Sequence, residues 1–288
     1  MEYLFTVFIL VCVAWGLAVS LDIASGHSRQ ISLAHAAFWG LGAYGYGLAA
    51  RAGLHPAAAL AVGTVAAAAG GLVVGVPALR LKADYLLIST LGLGELVNAA
   101  LVNVRSVTGG SNGLAAIPGL AAGLDGRFLN LGYAVVFAGA AALFTAVAVA
   151  IRRSPFGQAL RASAEDEEAT EALGRFVTSL RLRALVLGAS LAGALGGIYA
   201  AWSSFVSPAL FNTSASIGIL AMVLLGGMGN PWGAGAGAAV LTMFPEALRF
   251  VGLSGINADI LRQLVYGLAL VALMAMRPGG LFPPAPGK

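Results

Sequence analysis

The chain has 288 residues, of which 59% are hydrophobic and 10% charged, against roughly 25% charged in an ordinary soluble domain. That balance excludes a soluble globular protein and indicates a polytopic helical membrane protein. The formal charge of +4 is an excess that in a membrane protein marks cytoplasmic loops rather than nucleic-acid binding, while one cysteine, Cys12, and three histidines exclude an intrachain disulfide and a Cys/His metal cluster of the usual spacing.

The first apolar stretch begins Met1-Glu2-Tyr3 and runs to about Ser20. It has no basic leading region and is longer than a cleaved signal core, so it reads as a retained span. A span needs about 20 apolar residues to cross roughly 30 Å of hydrocarbon. Nine stretches qualify, at 3–24, 31–50, 56–79, 85–104, 131–151, 184–203, 213–229, 232–250 and 259–276. The predicted fold is therefore all-α, one transmembrane domain over residues 1–288 with about nine spans (eight to ten), some broken or re-entrant. The seventh stretch is short enough to be one of these. With the N-terminus outside, the inner loops hold Arg29, Arg80, Lys82, Arg152, Arg153, Arg161, Arg175, Arg181, Arg183, Arg277 and Lys288, and the outer ones Arg51, Arg105, Arg127, Arg249 and Arg262. Because basic loops resist translocation, this asymmetry places the C-terminus in the cytoplasm.

Two loops exceed simple connectors. The outer one, 105–130, opens with Thr108-Gly109-Gly110-Ser111-Asn112-Gly113, which turns tightly but offers little to pack and is free to dip into the membrane. The inner one, 152–183, reads as two short helices. Ser154 caps the first with Pro155 behind it, Ser163 is placed to cap the second with Asp166 three residues on, and Gly174 is placed to end it. Glu165, Asp166, Glu167 and Glu168 fall in the first turn of that second helix and complement its dipole. A solvated connector and a docking element for a cytoplasmic partner fit this pattern equally.

Two motif matches carry no chemistry, and a third motif is lacking. Gly40-Leu41-Gly42-Ala43-Tyr44-Gly45 fits a dinucleotide fingerprint but lacks its flanking strand and acidic residue; within a span, these glycines serve close helix approach, as do the pairs Gly71/Gly75 and Gly193/Gly197. Gly252-Leu253-Ser254-Gly255 is similar to the nucleophile motif of rhomboid intramembrane proteases, yet His27, His35 and His55 all precede it. The two lysines, Lys82 and Lys288, sit in no phosphate-binding glycine frame, so any ATP dependence comes from a partner.

Polar residues inside the membrane are the remaining candidates. Glu95 lies mid-way along the fourth stretch, where an ionised side chain costs about 2.5–3.5 kcal/mol. Asn98 shares its helical face, and Ser89 and Thr90 add hydroxyls one turn earlier. Ser32 and His35 stand at the start of the second stretch. A translocation path and an interhelical hydrogen-bond clamp are both open readings of this set. Pro245 and Glu246 lie near the outer end of the eighth stretch, and Asp259 and Arg262 are spaced to pair.

Several segments together carry a resemblance. They are Gln30-Ile31-Ser32-Leu33-Ala34-His35-Ala36, Arg80-Leu81-Lys82-Ala83-Asp84-Tyr85-Leu86, Thr90-Leu91-Gly92-Leu93-Gly94-Glu95, Thr108 to Leu114, Ser154-Pro155-Phe156-Gly157-Gln158-Ala159-Leu160-Arg161-Ala162 with Glu171-Ala172-Leu173-Gly174, Leu225-Gly226-Gly227-Met228-Gly229-Asn230, and Arg277-Pro278-Gly279-Gly280-Leu281. In this order they resemble the permease subunits of ABC importers for branched-chain amino acids, in particular the second of the two permease types such importers combine. The resemblance implies a transporter subunit of the cell (inner) membrane with no catalytic, cofactor or metal site of its own. Partner chains would be two cytoplasmic ATPase subunits using ATP and Mg, a second permease (a heterodimer rather than a homodimer) and an extracytoplasmic substrate-binding protein. It also makes 152–183 the coupling loop, with Glu168, Glu171, Ala172, Leu173 and Gly174 meeting the ATPase. The competing reading is a proton-coupled secondary transporter using Glu95; an intramembrane enzyme lacks a catalytic set.

Overall fold

Apolar runs rich in Ala, Gly and Leu fold into helices through most of the residues that the computed structural model describes, 2–26, 28, 30–78, 83–120, 126–250, 267–268, 271 and 280–282. Helix α1 (Glu2–Leu21) continues into one π-helical turn, Asp22–Gly26. It is followed by α2 (His35–Arg51), α3 (Pro56–Ala78) and α4 (Ala83–Asn103). A compact connection holds α5 (Arg105–Thr108), a 3-10 turn at Gly110–Asn112 and strand β1 (Leu114–Ala115). Then come α6 (Gly126–Arg153), α7 (Pro155–Glu165), α8 (Glu167–Ala172) and α9 (Val177–Ser203). Strand β2 (Phe205–Val206), a 3-10 turn at Pro208–Phe211, α10 (Thr213–Gly226) and α11 (Pro231–Phe250) complete the described elements.

Five described helices are long and apolar enough to cross a membrane, at Tyr3–Gly26, Pro56–Pro77, Tyr85–Asn103, Asn130–Arg153 and Val177–Ser203, and α10 with α11 makes a sixth if that pair, bent by 120°, is one span. The structure thus accounts for fewer spans than the nine expected. Helix α2 has 17 residues, about 25 Å at 1.5 Å per residue, and it is buried along most of its length, including Phe38, Trp39, Tyr44 and Tyr46. Protein rather than lipid surrounds it, so it needs no continuous apolar surface. The stretch 213–229 is not a full span: α10 has 14 residues, about 21 Å, and the chain turns back at Gly227 and Gly229, whose φ values of 106° and 81° suit glycine. Of the expected span 259–276, residues 267–268 and 271 alone are described, and the stretch Gly252–Gly255, Asp259, Arg262, His27, Arg29, Arg80 and Lys82 lie outside the described residues.

The core is a side-by-side triad of α2, α3 and α9. Its contacts are made backbone to backbone. A Cβ on Gly42 would sit 2.1 Å from Gly193 O, and one on Gly63 would sit 2.4 Å from Gly42 O. Small residues permit this approach, and dispersion between the closely packed backbones holds it. The glycines of the discounted dinucleotide match therefore do the packing work expected of them.

The 105–120 segment packs more fully than its composition implied. Thr108 Oγ1 donates to Leu101 O at 2.6 Å, β1 pairs antiparallel with β2 with Leu114 opposite Val206, and Tyr46 donates to Pro118 O at 3.0 Å. Leu114 and Ile117 are buried. Backbone pairing and two inward apolar side chains supply the packing that a count of Gly and Ala misses. At the same end of the bundle, Tyr133 donates to Ala201 O. The Tyr3 hydroxyl donates to Glu246, joining the start of α1 to α11.

Candidate functional site

Two places gather the candidate residues: the insert between α6 and α9, and the face of α4 turned to the start of α2 and to α10. The insert begins where Ser154 Oγ accepts from Gly157 N at 3.2 Å, with Pro155 in the first turn of α7. Leu160 of α7 is fully buried against Leu180 and Ala184 of α9, which seats the insert on the base of that helix. The second cap is Asp166, not Ser163: Asp166 Oδ1 accepts from Ala169 N at 2.9 Å. Ser163 is instead buried inside α7, donating to Leu160 O. The chain stays helical through Glu165, and a carboxylate is as good a cap as a hydroxyl, so the boundary falls three residues later. Glu165 accordingly closes α7, while Glu167 and Glu168 occupy the first turn of α8.

Helix α8 ends as a paired C-terminal turn. Gly174 N donates to Glu171 O at 2.8 Å and Arg175 N to Thr170 O at 3.3 Å, with Gly174 at φ 78°. Both bonds are those of a Schellman motif, whose left-handed residue is usually glycine. Thr170 is the one buried residue of α8, and Glu168, Glu171, Ala172, Leu173 and Gly174 are all exposed. Leu173 and Phe176 are each 83% exposed. Phe176 was not anticipated from sequence. It stands at the N-cap of α9 with no side-chain cap bond, where a small polar residue is the stabilising choice; an aromatic at a cap is the signal that would have found it. Arg152, Arg153, Arg161, Arg175, Arg181 and Arg183 surround the insert, making this the basic end of the bundle.

The six polar candidates, four on α4 and two at or just before the start of α2, fall into two groups rather than one line. Thr90 Oγ1 accepts from Leu33 N at 3.1 Å. Close by along the chain, Ser32 Oγ accepts from Ala34 N at 3.4 Å, and His35 is fully buried with Nε2 2.8 Å from Ser20 Oγ. Ser89 turns its hydroxyl onto its own helix, donating to Leu86 O. Farther along α4, Asn98 Nδ2 donates to Pro208 O at 2.9 Å and Phe211 O at 3.2 Å. The exposed Glu95 accepts from the Thr213 hydroxyl. Asn98 therefore fastens α4 to the 3-10 turn before α10 and Glu95 to the first residue of α10, while Thr90 fastens it to the turn before α2.

Residues that complete this network were not legible. Ala34 caps α2 without a side-chain bond, and Ser216 of α10 supplies the acceptor, taking Ala36 N at 3.0 Å. Asp22, fully buried in the π turn, accepts from Gly229 N at the α10–α11 break, 2.6 Å away. Each pairing joins residues about 200 positions apart or nearly so, a relation no local pattern encodes.

Comparison with known proteins agrees with this architecture. The family described as the permease component of the branched-chain amino acid transport system matches residues 2–274. The chain is 34% identical to the high-affinity branched-chain amino acid transport system permease protein LivM of Escherichia coli and 33% identical to that of Salmonella typhimurium, in each case over 93% of this chain and 67% of the relative. A solved structure described as an inward-facing conformation of a metal-chelate type ABC transporter superimposes with a TM-score of 0.52 at 18% identity, covering 94% of this chain and 84% of that one. Its likeness is one of fold. With helices fit to span a membrane, a glycine-packed core and a family match over nearly its whole length, the chain belongs to the permease components of branched-chain amino acid transport systems.

Proposed function

We propose that the chain forms the translocation path of an ATP-driven importer for branched-chain or related amino acids. It would sit in the inner membrane with about nine spans, some broken or re-entrant, and a cytoplasmic C-terminus. Two separate ATPase subunits consuming ATP and Mg would drive it, a second and different permease would complete the path, and an extracytoplasmic binding protein would deliver the solute. The insert carries this reading: a capped, mostly exposed short helix with a protruding Leu173 and Phe176, seated at the basic end of the bundle. Basic residues favour the cytoplasmic side, and exposed large apolar side chains on a rigid element fit a partner's groove. Glu168, Glu171, Ala172, Leu173 and Gly174, joined by Phe176, are the ATPase-coupling residues in this account. Ser32, His35, Ser89, Thr90, Glu95 and Asn98 serve the path, with Thr90, Glu95 and Asn98 as the joints about which α4 shifts against the turn before α2 and the start of α10.

The test is purification from native membranes in mild detergent, identification of the co-purifying chains, and reconstitution with ATP inside the vesicles and the binding protein outside. Stoichiometric ATPases and ATP-dependent uptake of labelled leucine are expected. A chain that comes away alone and moves leucine on a pH gradient without ATP would make it a proton-coupled carrier using Glu95 instead.

A further inference from the structure

Arg181 lies near the start of α9, and its side chain is only 10% exposed. Three elements place acceptors around it. Nη1 donates to Glu167 Oε1 of α8 at 2.9 Å, and Nη2 to Ser163 O of α7 at 3.3 Å. Gln30, on the segment leading into α2, is buried; with its carboxamide turned so that donors and acceptors match, its oxygen accepts from Nη1 at 3.1 Å and from Nε at 3.3 Å. A planar guanidinium with five donors can hold three such acceptors in one fixed arrangement, which a lysine ammonium on a flexible stem does not reproduce.

The segment that Gln30 begins has few bonds of its own and is tied to its neighbours instead. Leu33 N is held by Thr90 of α4, Ala36 N by Ser216 of α10, and His35 by Ser20 of α1. Movement at residues 30–36 must therefore be felt by three helices. Among the described residues, the hydrogen bonds that join the insert to this junction run through Arg181. A partly buried cation with one half-exposed carboxylate partner contributes little net stability, so packing strength does not explain its position.

Building on the permease reading above, we propose that Arg181 is a positioning residue that transmits displacement of α8 to the turn leading into α2, along Glu167, Arg181 and Gln30. In that role it sets how much solute crosses per ATP hydrolysed rather than whether the ATPases bind. It touches neither solute nor ATPase.

The test uses the complete importer in vesicles, comparing the wild type with Arg181→Lys and Gln30→Leu. ATPase retention, ATP hydrolysis and leucine uptake are measured on each sample. Retention and hydrolysis are expected to stay within about twofold of wild type while uptake per ATP falls about fivefold or more, the range of a real coupling term. An unchanged ratio in both variants overturns the relay, as does a loss of uptake matched by an equal loss of bound ATPase. If Arg181→Lys fails to assemble, Gln30→Leu decides alone, since it alters one amide on a connecting segment. A wild-type complex without ATPases would break the permease reading itself; an active wild type with unaltered variants breaks only the relay.

Discussion

Helix α9 and helix α4 are both long enough to cross a membrane, yet 67% of the most apolar stretch of α9 is buried within the chain against 22% of that of α4. Backbones meet directly where α9 joins α2, through Gly42 and Gly193. Helix α4 is instead fastened by separate polar bonds from Thr90, Glu95 and Asn98. A close-packed seam resists any displacement because every contact is lost together. Discrete hydrogen bonds in a membrane average about 0.6 kcal/mol each and can exchange one by one. The contrast divides the described helices into a close-packed core and elements held by separate polar bonds, with the α7–α8 insert attached at the base of the close-packed part.

The largest expected effect comes from attacking the seam. Gly42→Leu should cost at least about 3 kcal/mol through overpacking and leave no monodisperse protein in detergent, whereas Gly92→Leu on α4, where a Cβ meets nothing within 4 Å, should purify normally. Equal behaviour of the two would erase the distinction. Next comes the insert's apolar tip: Phe176→Asp or Leu173→Asp should leave insertion intact and lower ATPase retention about tenfold or more, a hot-spot loss of about 2 kcal/mol. Retention at the wild-type level would remove both residues from the interface. Gly174→Ala meets no neighbour within 4 Å, so its penalty is the left-handed backbone alone, about 1–2 kcal/mol. It should reduce uptake more than it reduces expression. Smallest is Asn98→Ala, worth about 0.6–1.7 kcal/mol: a minor drop in thermal stability is expected, with a measurable change in uptake rate.

Composition made most of the fold legible, because lipid demands a long apolar surface and α1, α3, α4, α6 and α9 have one. It says less where that demand is absent. The stretch 213–229 reads as apolar, but Gly227 and Gly229 end α10 before it can cross. At the insert, the residue types were right and the phase was off: the capping oxygen is Asp166, while Ser163 lies inside α7. Cap preference alone does not separate a serine from an aspartate three residues later. The polar candidates on α4 were legible as costly, since a carboxylate or amide in a membrane needs a partner. Their partners were not: Thr213, Pro208, Phe211 and Leu33 are supplied by chain packing across more than fifty residues. Phe176 escaped because a lone aromatic in a charged loop has no periodicity to reveal it.

The central claim is that the insert docks on the ATPase while the opposite end of α9 does not. Photo-crosslinking from an unnatural residue at position 176, compared with position 205, which is exposed in β2 just beyond the other end of α9, tests it directly in native membranes. The account expects a crosslinked ATPase subunit from 176 and none from 205. Crosslinks from 205, or none from 176 in an importer that still transports leucine, would contradict it.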